Sequence, residues 1–220
     1  MLRKKFFSAK NIAYLAVLLA LVVVLQSIAL VTGIFLATSL SFVLIPIVIG
    51  AVLLGPAAGA ILGFMFGFMT VIFGVTGADS FTFLLFSEHP FLTLLTCFLK
   101  AILAGVVPAF LFKLLRGKNR YLAVVVAAAS APVINTGIFI LGAMTMWGTF
   151  ESIAAGENVM YFIIVTCALT NFLIELGTTI VAAPAIYRVT EIVQDKRSSK
   201  KQNVEDNTSV NVAEEHSEIV

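Results

Sequence analysis

Apolar residues fill this chain in long blocks, parted by short polar or glycine-containing breaks. The blocks are too continuous for a half-buried strand and too evenly apolar for an amphipathic surface helix. They predict six helical spans at about residues 11–32, 39–54, 57–77, 91–115, 121–147 and 159–188, against the ~20 helical residues that cross a hydrocarbon core of roughly 30 Å. No Asp, Glu, Lys or Arg occurs from Asn11 to Ala78, so that stretch alone has room for three spans. After the sixth the pattern stops. "SSKKQNVEDNTSVNVAEEHSEIV" is polar, charged and aperiodic, which predicts a disordered cytoplasmic tail over 191–220 behind one membrane domain over 1–190.

The block "LLGPAAGAILGFMFGF" places Gly55, Gly59, Gly63 and Gly67 four residues apart. In a water-soluble helix each would cost about 1 kcal/mol relative to alanine. Gly55 with Pro56 predicts a tight turn between spans two and three, with proline opening the next helix. Gly59, Gly63 and Gly67 then form a ridge. Steps of four residues turn about 400°, so the ridge slants by ~40° per step and forms a groove for close, right-handed helix crossing.

Composition makes the environment explicit: 60% of the residues are hydrophobic and 12% charged, with a mean hydropathy of +1.06. An all-α, multi-pass membrane protein is expected. Charge sets its orientation. Arg3, Lys4, Lys5 and Lys10 precede span one, Lys113, Arg116, Lys118 and Arg120 lie at the break between spans four and five, and Arg188, Lys196, Arg197, Lys200 and Lys201 follow span six. The opposite breaks hold Asp79, Glu88, Glu151 and Glu157 and no Lys or Arg, so the positive-inside rule puts both termini in the cytoplasm. The opening "MLRKKFFSAK" is basic, but the apolar run behind it is long and no cleavage site closes it, so a membrane span is expected there and not a secretory signal.

Several chemistries have no residues to support them. Gly117-Lys118 is followed by Asn119, so no phosphate-binding loop forms, and there is no His-Glu-x-x-His zinc motif. Cys97 and Cys167 sit in apolar runs as small buried hydrophobes. No enzyme activity, metal site, cofactor or nucleic-acid partner is expected. No internal repeat joins the two halves, which weighs against a stand-alone secondary transporter.

The costly residues inside the spans are few: Lys100, Asn135, Asn171 and Glu175. An ionisable group at bilayer depth faces a cavity or a partner. At 1.5 Å per residue, Lys100 lies about 14 Å in from Phe91, Asn135 about 18 Å from Trp147, and Asn171 about 15–18 Å into span six. Three helices therefore bring polar groups to one layer. Glu175 follows Asn171 by four residues on the same face, one turn deeper, where pairing with Lys100 would need tilt or a long reach. This layer is the candidate floor of a ligand pocket, with Lys100 for an anionic group and the amides for hydroxyl or amide groups; the bland alternative is polar glue between helices. Asp79 and Trp147 are the loop residues added to the candidate site; Glu88, His89 and Tyr161 are further interfacial positions. In span one, Ala13, Ala16 and Ala20 share a face small enough for another helix to approach closely.

Six short spans with both ends inside, Ala16-x-x-x-Ala20, and the series Pro46, Gly50, Gly55, Pro56, Gly59, Ala60 and Gly63 resemble the substrate-capture (S) components of energy-coupling factor (ECF) vitamin transporters, over roughly residues 10–190. The resemblance implies a six-helix bundle in the bacterial cytoplasmic membrane that captures a water-soluble vitamin from outside. It implies delivery through a transmembrane T component and two cytoplasmic ATPases, with Ala13, Ala16 and Ala20 as the docking face. The glycine pattern is most similar to the pantothenate-type members, and pantothenate offers a carboxylate, hydroxyls and an amide. Folate also carries carboxylates. Riboflavin is disfavoured because "ATSLSFVLIP" ahead of Pro46 has no charge.

Overall fold

The computed structural model describes residues 9–36 and 42–193, all of the ordered elements being helices. In chain order they are α1 (Ala9–Leu36), α2 (Leu44–Leu54), α3 (Pro56–Val75), α4 (Ser80–Glu88), α5 (Pro90–Leu115), α6 (Arg120–Thr145), α7 (Trp147–Ile153) and α8 (Val159–Val193). The tail from 194, the basic cluster Arg3, Lys4 and Lys5, and the head of the predicted 39–54 span lie outside the described residues.

Five helices, α1, α3, α5, α6 and α8, are long and apolar enough to cross a membrane. The second predicted span is different. α2 has 11 residues and rises only about 16 Å, short of the hydrocarbon core. Its residues Leu44, Pro46, Ile47, Val48, Gly50, Ala51 and Val52 are buried because α2 packs against α1, α3, α5 and α6. A helix apolar on every side is satisfied inside the bundle as well as in lipid, so hydropathy alone overstated its span.

Gly55 joins α2 to α3 at φ +98°, a conformation that β-carbon sterics deny to other residues, and Pro56 opens α3. Gly59, Gly63 and Gly67 then lie against α5, opposite Gly105, Ala101 and Cys97 in turn. Both series step by four, and they run in opposite directions. A β-carbon on Gly59 would fall on the carbonyl of Gly105, and one on Gly105 on the carbonyl of Gly59. The backbones approach so closely that no side chain fits between them.

The loops opposite the basic end are partly helical. Asp79 caps α4, its carboxylate accepting from the backbone N–H of Phe81 at 3.2 Å and of Thr82 at 3.3 Å. The predicted 121–147 span ends at Thr145, and Trp147 opens α7 after Met146 leaves helical geometry at φ −107°, ψ 33°. At the basic end Arg120 donates from Nη2 to the Thr190 carbonyl at 3.1 Å, tying the start of α6 to the end of α8, where a cation complements the helix dipole. Two apolar clusters result. One centres on α2 and the alanines of α5 and α6, the other on Phe150 with Leu85, Met146 and Ile163.

Replacing Gly59 with Leu is expected to destabilise the bundle by about 3 kcal/mol or more, because backbone must move to admit the side chain. Gly137→Ala, whose added β-carbon meets nothing within 4 Å, is expected to be neutral or slightly stabilising. Thermal unfolding of both variants in detergent checks the contrast.

A candidate ligand cavity

Between the two apolar clusters lies a cavity of ≈ 630 Å³, within the size range of small-molecule sites. It reaches from the α3–α4 loop, at Ala78 and Asp79, down to Asn135 and Glu175. Helix register orders its polar groups. α5 and α6 run antiparallel, and Thr96 packs on Gly142, where a β-carbon would strike its side chain. One turn further along α5, the Lys100 ammonium sits 5.6 Å from the centroid of the Phe139 ring, a cation–π distance. Asn135 is four residues beyond Phe139 toward the basic end, so it lies about 6 Å deeper than Lys100.

At that level Asn135 donates from Nδ2 to Glu175 Oε2 at 3.1 Å, with the Asn171 amide beside the same carboxyl group. Asn135 and Glu175 are 4% and 2% exposed. The carbonyl oxygens of the Asn135 and Asn171 side chains, and that of Gln26 on α1, are buried without a hydrogen-bond partner. All three residues line the cavity. A buried acceptor without a donor costs free energy comparable to a lost hydrogen bond, so these oxygens leave the cavity with unmet acceptor capacity. Lys100 has no carboxylate within 4 Å; among the described residues the ion pair present is the exposed Arg188–Glu191 contact at 3.4 Å.

Lys100, Asn135, Asn171, Glu175 and Asp79 thus share one cavity wall, while Trp147, 42% exposed, does not line it. Span five was expected to run to Trp147, whereas α6 ends at Thr145 and Trp147 opens α7. Asp79 lines the cavity with both oxygens engaged, Oδ2 accepting from Thr82 Oγ1 at 2.6 Å. Gln26, the polar side chain α1 brings to this cavity, was not among the expected site residues, although an amide inside an apolar run was the signal for it. The aromatic wall was not expected either. Phe81, Phe139 and Phe150 meet pairwise at centroid distances of 6.1–6.5 Å, and Phe66, Phe73 and Phe162 complete the lining. Phe162, Thr166 and Cys167 reach it from a π-helical stretch, Phe162–Leu169, a local widening that recurs at functional sites.

An all-helical, multi-pass membrane protein with one end of the bundle hollowed into a ligand-sized, amide-lined cavity is what fold and site together define. The family model for the ECF transporter, substrate-specific component, matches residues 10–187, and the chain belongs to that family. Members are transporter subunits, not enzymes, and the family implies a small-molecule substrate together with T and ATPase components. No curated protein and no solved structure matched the chain.

The Asn135–Glu175 contact makes a direct prediction. Asn135→Leu leaves a buried carboxyl group short of a donor and is expected to cost about 1–3 kcal/mol, whereas Glu175→Gln in the same background recovers part of the loss. A double-mutant cycle from thermal unfolding, read for a coupling clearly different from zero, checks it.

Proposed function

We propose that this protein is the vitamin-capturing subunit of an ECF-type importer and that its ligand is pantothenate. The observation that carries the reading is the inventory of the cavity. It holds a Lys100 ammonium with no carboxylate within 4 Å among the described residues, and three buried, unpartnered amide oxygens, on Gln26, Asn135 and Asn171. Pantothenate presents the complement: one carboxylate for the ammonium, and two hydroxyls and an amide N–H as donors for the three oxygens. Charge-assisted pairing is the strong contact, and the amides give orientation. The phenylalanine wall favours one second reading, a carboxylate ligand with an aromatic ring such as folate, which those rings would stack on.

Lys100→Ala is expected to weaken pantothenate binding by about 1.5–3 kcal/mol, the worth of a hydrogen bond to a charged group. Titration calorimetry on the purified protein checks this, and unchanged affinity removes Lys100 from the site. Tighter binding of folate than of pantothenate in the same assay selects the second reading.

Delivery is the other half of the reading. Ala13, Ala16 and Ala20 are exposed on α1, on an apolar face that includes Val17 and Val24, and small residues there let a T-component helix approach closely. Ala16→Trp is expected to leave pantothenate binding unchanged and to abolish ATP-driven uptake in vesicles containing the T component and the two ATPases. Uptake that persists moves the docking face elsewhere; uptake without any ATPase supports a secondary transporter acting alone.

A further inference from the structure

We propose that Glu175 is the residue that sets specificity at the floor of the cavity: it accepts the hydroxyl end of the captured acid and rejects the same molecule once that hydroxyl is phosphorylated. The inference rests on the reading that the cavity takes a carboxylate ligand at Lys100, and adds which end goes deepest and what is refused.

Two carboxyl groups line the cavity, Asp79 near its mouth and Glu175 at its floor. Asp79 is occupied by the α4 cap, its Oδ1 by two backbone N–H groups and its Oδ2 by the Thr82 hydroxyl. Glu175 has one oxygen accepting from Asn135 and no lysine or arginine within 4 Å among the described residues. The groups that act on its carboxyl are Asn135 of α6, which donates to it, Asn171 of its own helix and, at longer range, Lys100 of α5; Gln26 and Thr136 line the same cavity. The cavity therefore has a cationic pole at Lys100 and an acceptor pole at Glu175, about one helical turn apart along the bundle. A ligand with its carboxylate on Lys100 meets Glu175 and the unpartnered Asn135 and Asn171 oxygens by turning its donor end inward.

A hydroxyl satisfies that floor. A phosphate monoester has the wrong polarity: it brings acceptors to the Asn135 and Asn171 oxygens, and an ionised phosphate would leave water for a floor where Glu175 is 2% exposed and has no lysine or arginine within 4 Å among the described residues.

Titration calorimetry on the purified full-length chain tests this with four probes. They are pantothenate, its neutral alcohol analogue panthenol, its phosphate monoester at the terminal hydroxyl, and the dimethylated, uncharged form of that ester. The wild-type protein is expected to bind pantothenate on the order of a hundred-fold more tightly than the monoester, with the uncharged ester recovering much of the difference. Glu175→Gln is expected to bind pantothenate more weakly, its amide oxygen still accepting the hydroxyl, and to narrow the ratio of pantothenate to monoester by about ten-fold or more. An unchanged ratio in Glu175→Gln overturns the role of Glu175. Equal rejection of both esters by the wild type also overturns it, showing that size and not charge excludes them, and this arm stands even where the variant fails to fold. Both failures leave the carboxylate reading intact if pantothenate still binds better than panthenol. A wild type that binds panthenol as well as pantothenate, or neither, overturns that reading and the inference with it.

Discussion

The contact on which the rest of the structure depends is one where glycine lets two helix backbones meet. Gly59, Gly63 and Gly67 of α3 lie on Gly105, Ala101 and Cys97 of α5, backbone against backbone. In a bilayer there is no hydrophobic gain from bringing two apolar helices together, so close van der Waals approach supplies the association. That approach also sets the rotation of α5. With Ala101 turned onto Gly63, Lys100 points about 100° away around the helix, toward Phe139 of α6. A glycine ladder with no polar atom on its ridge thus aims the half-buried lysine of the cavity.

The second constraint is the cost of polarity at membrane depth. Asn135 sits four residues below Phe139 and shares a hydrogen bond with Glu175 of α8, which lowers the cost of burying both. It does not remove it, because the amide oxygens of Asn135, Asn171 and Gln26 remain without donors. A purely structural polar cluster would close on itself, as the Asp79 cap does with its three bonds. The Asp79 cap is closed on itself, whereas the Asn135, Asn171 and Gln26 oxygens are left open toward the cavity.

Much of this was written in the order of residues. Long apolar blocks demand helices because lipid offers backbone groups no partner, and the helix boundaries of α3, α5 and α6 fall within about two residues of the expected spans. Four rare polar residues, Lys100, Asn135, Asn171 and Glu175, were legible as candidates because polarity in such a block needs a reason. The short α2 was not legible: a helix buried by neighbours and a helix bathed in lipid have the same composition. Nor was the role of Asp79, since a capping carboxylate and a ligand-binding one look alike until backbone N–H groups are placed around them.

The chain by itself determined that the protein is helical, resides in a membrane and carries a sparse polar layer, since those properties follow from local composition and from the period of the helix. Tertiary structure decided which of those polar groups meet. Packing of α3 on α5 and of α5 on α6 brought Lys100 to Phe139, and α8 brought Glu175 to Asn135, while α1 added Gln26 from far away in the chain. The physical reason is that depth along a helix can be counted from the sequence at a fixed rise per residue, whereas rotation about its axis is set by contacts with other helices.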